Sequence, residues 1–119
     1  MMLLTAEIRE QMLRNGRERL EAQLRGESEP DLVPIVKLFT PDAGCTWLLT
    51  ELDPEYNDLA FGLCDLGMGC PELGYVSLSE LTTVRGKLGL PIERDLGFRA
   101  TKTLSAYADE ARECGGIRA

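Results

Sequence analysis

The chain has 119 residues, a formal net charge of -7 and no histidine; 44% of it is apolar and 28% charged. That is one domain's worth of chain, able to bury a core without disulfides or a structural metal, and its composition excludes disorder as the default. No apolar run approaches the roughly 18 residues of a membrane span, and the first residues turn charged at once, so neither a membrane helix nor a secretion signal is read and a cytosolic location is expected.

A helix is predicted over residues 5–25, with Thr5 as N-cap. Ile8, Met12, Gly16, Leu20 and Leu24 recur at helical spacing, with Gly16 a weak point where the helix would end or kink. Residues 26–31 form a linker. Residues 33–78 read as a sheet of short strands: Val33–Phe39, Cys45–Leu52, Leu59–Asp65 and Gly74–Leu78. They are joined by a hairpin turn at Pro41–Gly44, an acidic loop at Asp53–Asp58 and a glycine-rich loop from Gly67 to Leu73. Such short connections favour an antiparallel meander.

Residues 79–114 are expected to be mostly helical. Ser77 and Glu80 fit a capping box for a helix through Leu81, Val84 and Leu88 that stops by Gly89. Ile92–Phe98 alternates in part, the pattern of an added edge strand. Thr103 or Ser105 caps a last helix to Cys114, ended by Gly115-Gly116. The expectation is a single α+β domain over 1–119: an antiparallel meander of about four to five short strands, an N-terminal helix and two C-terminal helices.

Charge is unevenly distributed. Residues 1–29 carry 6 acids and 5 bases, residues 30–80 carry 9 acids and one base (Lys37), and residues 81–119 carry 5 acids and 7 bases. The middle third repels phosphate and favours a basic partner surface, or else serves solubility. The four cysteines are expected to be reduced thiols, with Cys45 and Cys64 as small core residues.

Several chemistries can be weighed residue by residue. Without histidine, His-based hydrolase triads and the usual catalytic zinc sites are removed. No Cys-x-x-Cys pair exists. Counting from Asp53 as a calcium loop, the sixth position is Asp58 instead of glycine and the twelfth is Cys64 instead of Glu, so that motif fails. Gly67-Met68-Gly69 lacks the third glycine and the lysine of phosphate loops. No catalytic residue, cofactor or metal is therefore assigned. Trp47 and Tyr75 read as core aromatics, and Tyr56, in an acidic turn, as an exposed contact residue.

The middle of the chain carries a further signal. Val36-Lys37-Leu38-Phe39-Thr40-Pro41-Asp42, Trp47–Asp53, Phe61–Gly67, Pro71–Val76 and Leu88–Asp95 together resemble a family of small acidic bacterial proteins classed as a domain of unknown function. Members are typically carried on plasmids, integrative elements and phage-like regions. The resemblance supplies no catalytic residues. It implies a mobile-element accessory role and, by analogy, a counter-defence protein of anti-CRISPR or anti-restriction type.

The favoured expectation is a non-enzymatic, acidic protein-binding module. Glu51, Asp53, Glu55, Tyr56, Asp58, Asp65 and Glu72 would form one face against a basic protein surface. Two alternatives stand beside it. One is a carboxylate-based, metal-assisted enzyme using Asp53, Asp58, Asp65 and Glu72. The other is a nucleic-acid accessory protein using residues 85–102, with Arg85, Lys87, Arg94, Arg99 and Lys102 near Phe98; the overall acidity disfavours it. Homodimerisation through an edge strand or the N-terminal helix is compatible with the same pattern.

Overall fold

The structure is a computed structural model and describes residues 3–119. Helix α1 runs Ala6–Leu24, followed by strands β1 (Val36–Phe39), β2 (Thr46–Leu52), β3 (Leu59–Asp65) and β4 (Glu72–Ser77), a one-turn helix α2 (Leu78–Leu81), a two-residue strand β5 (Glu93–Arg94) and helix α3 (Leu104–Cys114). The sheet order is β4-β3-β2-β1-β5 and every pairing is antiparallel. The expected α+β meander is thus present, with β5 returning to the outer side of β1.

Two apolar clusters cover the two faces of the sheet. Met12 of α1 joins Val36, Leu38, Trp47, Leu49, Leu52 and Ala60 in one. Leu104, Tyr107, Ala108 and Ala111 of α3 join Leu48 and Leu63 in the other. Both faces of the central strand β2 are therefore buried, as its near-continuous apolar sequence requires.

β2 carries the feature that seats α1. Its register with β3 passes from Leu49↔Gly62 to Glu51↔Phe61, so Thr50 is an extra residue in a β-bulge. Side chains alternate along a strand, and Leu49 and Leu52 would otherwise face opposite sides. The bulge puts both in the α1 cluster. It also leaves the buried Thr50 carbonyl to be satisfied from outside the ladder, and Asn15 Nδ2 of α1 donates to it at 2.8 Å. One residue on, Gly16 lies directly over the end of β2. A Cβ there would sit 1.9 Å from the Leu52 carbonyl oxygen.

Three expectations are corrected. Gly16 neither ends nor kinks α1; the helix runs through it because only a missing side chain permits this crossing. Residues 79–114 are not mostly helical, and the helix expected through Leu88 stops at Leu81. Ser77 does cap α2, accepting from the Glu80 amide at 3.2 Å, but the Thr82 and Thr83 hydroxyls donate back to the Ser79 and Glu80 carbonyls (2.6 and 2.7 Å). Beyond them Asp42, in the β1–β2 turn, accepts from the amides of Leu88 and Leu90 (2.6 and 3.3 Å) and holds residues 86–90 as a turn. Gly86 makes room for that carboxylate, which would meet a Cβ at 1.6 Å. Tyr75 is not a core residue: it stands on the edge strand β4 with 46% of its surface exposed, while Trp47 is buried as expected.

An alanine at a mid-helix glycine ordinarily stabilises a protein by up to about 1 kcal/mol. Gly16→Ala is expected to do the reverse, lowering the free energy of unfolding in urea by about 1–3 kcal/mol through overpacking against β2. A stabilised variant would contradict the crossing described here.

Candidate functional site

The acidic loop between β2 and β3 is built from its own polar side chains. The Asp53 carboxylate accepts from the backbone amides of Glu55 and Tyr56 at 2.8 and 2.9 Å, an Asx-turn arrangement. The Asp53 amide donates to the Leu59 carbonyl and the Leu59 amide to the Tyr56 carbonyl, each at 2.9 Å. The Asn57 amide, turned nitrogen-inward, donates to the carbonyls of Asp53 and Pro54 (3.1 and 3.2 Å). Glu55 and Tyr56 project from this closed loop, and Tyr56 is 62% exposed.

Asp58, at the foot of the loop, ties it to the start of α2. Its carboxylate accepts from the hydroxyls of Ser77 (2.6 Å) and Ser79 (2.8 Å) and from the Ser79 amide (2.9 Å). Hydrogen bonds from Ser77 first, and then from Ser79, hold the Asp58 carboxyl below its ordinary value of 3.8.

Glu51 has a different fate. Its carboxylate is buried and hydrogen-bonded to the Arg19 guanidinium of α1, which also donates to the Tyr75 hydroxyl at 2.8 Å and approaches Glu29 at 3.9 Å. Burial pushes the Glu51 carboxyl above the ordinary Glu range, and Arg19 pulls it part of the way back. Removing one member of so enclosed a pair leaves the other charge uncompensated, at a cost of about 3–5 kcal/mol. Arg19 of α1 organises this corner. Nothing local marks it, because Glu51 is 32 residues away.

Asp65 and Glu72 lie at the opposite end of the sheet. β3 separates Leu59 from Asp65 by six steps, about 20 Å at some 3.3 Å per residue, and Glu72 pairs with Cys64 beside Asp65. Asp65 is buried: it accepts from the Gly67 amide at 2.8 Å and from the Ile117 amide at 3.0 Å, fastening the segment after α3 to the sheet. Cys64 beside it is a half-buried thiol pushed up to about 11, by burial and then by Glu72.

The expected single face from Glu51 to Glu72 is thus corrected. Asp53, Glu55, Tyr56 and Asp58 gather at one end of the sheet, Asp65 and Glu72 stand at the other, and Glu51 is enclosed between α1 and β2. The four carboxylates of the enzymatic alternative are split in the same way. Among the described residues no group of three or more Cys, Asp or Glu side chains is placed to hold a metal ion.

The basic stretch does not form a row either. Arg85 is spent on the Thr82 and Val84 carbonyls (2.9 and 2.8 Å), Arg94 reaches the Leu3 carbonyl (3.0 Å) and Lys102 pairs with Glu110 (2.8 Å) over the Tyr107 ring. Arg99 and Lys102 share an open cleft of about 330 Å³ with Arg118, Phe98 and Asp95.

A family model matches residues 3–118, from the segment before α1 to the tail behind α3. The chain belongs to the family "Protein of unknown function (DUF2958)". No curated protein and no solved structure matches it. Membership in DUF2958 agrees with the resemblance read from the sequence and assigns no role to any residue. No helix among the described residues is long and apolar enough to cross a membrane.

The Asp58 cluster can be checked by pH titration. Because its pKa is lowered in the folded protein, its contribution to stability is present above pH 3.8 and is lost as the pH falls through the depressed value. Side-chain carboxyl NMR should show Asp58 titrating below 3.8, and the Ser77→Ala/Ser79→Ala variant should return it upward. An unchanged midpoint in that variant would mean that the serines do not hold it.

Proposed function

We propose that this protein is a non-enzymatic binding module, carried as an accessory of a mobile genetic element. In this reading its acidic β2–β3 loop docks on a basic surface of a partner protein in the cytoplasm, the partner belonging to a nucleic-acid-targeting defence system. One observation carries the reading: Glu55 and Tyr56 are held outward on a loop whose backbone is locked by Asp53, Asn57 and Asp58. A loop ordered before binding loses little entropy on docking. A tyrosine beside carboxylates suits an arginine-rich surface, where the ring takes up guanidinium planes and the acids stand where phosphates would.

Charge supports the same direction. No lysine or arginine occurs between residues 38 and 84, while eight carboxylates do. A partner surface that normally receives nucleic acid would be occupied and blocked by such a domain. Asp53 and Asp58 act in this scheme as positioning residues, and Glu55 and Tyr56 as the contacts. Glu51 and Asp65 support the framework.

The test is capture of host proteins on the immobilised full chain at low and high salt, beside a Glu55→Lys/Tyr56→Ala variant. A stoichiometric partner retained at low salt and released at high salt is expected, with binding to the variant weaker by about thirty-fold or more, as for an interface anchor worth some 2 kcal/mol. Equal capture by the variant would refute the loop as the docking element.

A further inference from the structure

β4 ends the sheet. Its pairing with β3 runs without interruption from Leu59↔Ser77 to Cys64↔Glu72, and its other side has no strand beside it among the described residues. Exposed strand edges invite a further strand, and proteins usually blunt them with proline, lysine, a bulge or extreme shortness. The opposite edge follows that rule, since β5 has only two residues. β4 does not: Glu-Leu-Gly-Tyr-Val-Ser has six residues, no proline, no lysine or arginine, no bulge, and its one charge in first position.

The edge is also accessible and partly apolar. A Cβ built on Gly74, in the middle of β4, meets nothing within 4 Å. Leu73 and Tyr75, two residues apart and so on one face, are 39% and 46% exposed. Tyr75 makes a T-shaped contact with Phe61, with ring centroids 5.1 Å apart, and its hydroxyl accepts from Arg19, so it is an ordered platform.

Charge distinguishes the occupants. Glu72 begins β4, and Asp58 binds Ser77 at its end. The Tyr75 hydroxyl is raised above its ordinary value by burial first, with Arg19 opposing and Glu51, Asp53 and Glu29 adding to the rise. A second copy of this chain would bring its own net charge of -7 against the same sign. A segment rich in lysine or arginine would be drawn in.

We propose that the outer edge of β4 accepts an extended basic segment of a partner protein as a sixth strand of the sheet. Backbone hydrogen bonds along β4 supply the affinity. Alternate side chains of the segment lie over Leu73 and Tyr75, and its cations face the carboxylates at the two ends of the strand. This rests on the reading that the partner is a basic protein, and adds the way in which it is held.

The probe is a synthetic eight-residue peptide of alternating lysine and valine. Its control carries the same side chains with every backbone nitrogen methylated, so that it keeps the charge and has no N–H to donate. Binding is followed on the full chain by NMR, with amide exchange read at residues 72–77. The unmodified peptide is expected to bind and to slow exchange of the outward β4 amides at least about ten-fold, the methylated one to do neither, and Leu73→Lys to weaken binding at least about ten-fold. Equal binding of the two peptides without protection of β4 would overturn strand addition while leaving the basic-partner reading standing. Absence of binding by either peptide would overturn it too. Concentration-dependent protection of β4 in the chain alone would also overturn it, by identifying a second copy as the occupant. The basic-partner reading fails separately, by the salt-dependent capture described above.

Discussion

The close crossing of α1 over β2 is the constraint on which the rest of the structure depends. Three residues of the helix meet three of the strand. Asn15 satisfies the carbonyl freed by the bulge at Thr50, Gly16 admits the Leu52 carbonyl, and Arg19 neutralises Glu51. The bulge makes this possible by turning Leu49 and Leu52 to the same side, where Met12 covers them. An apolar helix face alone would leave the helix free to slide. A buried amide-to-carbonyl bond and an enclosed ion pair penalise every other register, because any shift strands a polar group without a partner.

The positions of the exposed surfaces follow from that crossing. Glu51 is the last polar residue of β2 before the acidic loop, and its pairing with Arg19 ties that end of the strand to α1. Arg19 also reaches Tyr75, so the same guanidinium ties the helix, the central strand and the edge strand together. A count of carboxylates therefore overstates the acidic surface. Asp42, Asp53 and Asp65 are committed to backbone amides within the fold, and Asp58 is bonded to Ser77 and Ser79 while its carboxylate stays at the surface. Glu55 and Glu72 remain exposed and uncommitted, at opposite ends of the sheet. An acidic sequence segment has become a framework of internal anchors with a few outward charges.

Features determined within a few residues were legible in the sequence. Thr5 caps α1, β3 occupies Leu59–Asp65 as read, and Gly115 ends α3. Features determined across the chain were not. Gly16 looked like a helix breaker because its partner, Leu52, is 36 positions away. The helix after Ser77 looked longer than one turn because Asp42, the residue that captures the following amides, lies 46 positions upstream of Leu88. Ser105 was an equal candidate to Thr103 as a cap, but its hydroxyl and amide are taken by Asp31. Tyr75 reads like any strand aromatic until the sheet order makes β4 an edge. Within the candidate site, the exposure of Tyr56 was legible from its turn composition, whereas the division of six of the seven residues between two ends of the sheet required the register, and the burial of Glu51 required the α1 crossing.

The most direct test is native-state hydrogen exchange across a urea series, comparing the amides of α1 around Met12–Gly16 with those of β2 and β3. If α1 is locked to the bulged strand, the two sets open together, with the same free energy and the same urea dependence as global unfolding. If the α1 amides exchange through a smaller opening at lower free energy, while the sheet stays protected, the helix is only laid against the sheet and the central claim is wrong.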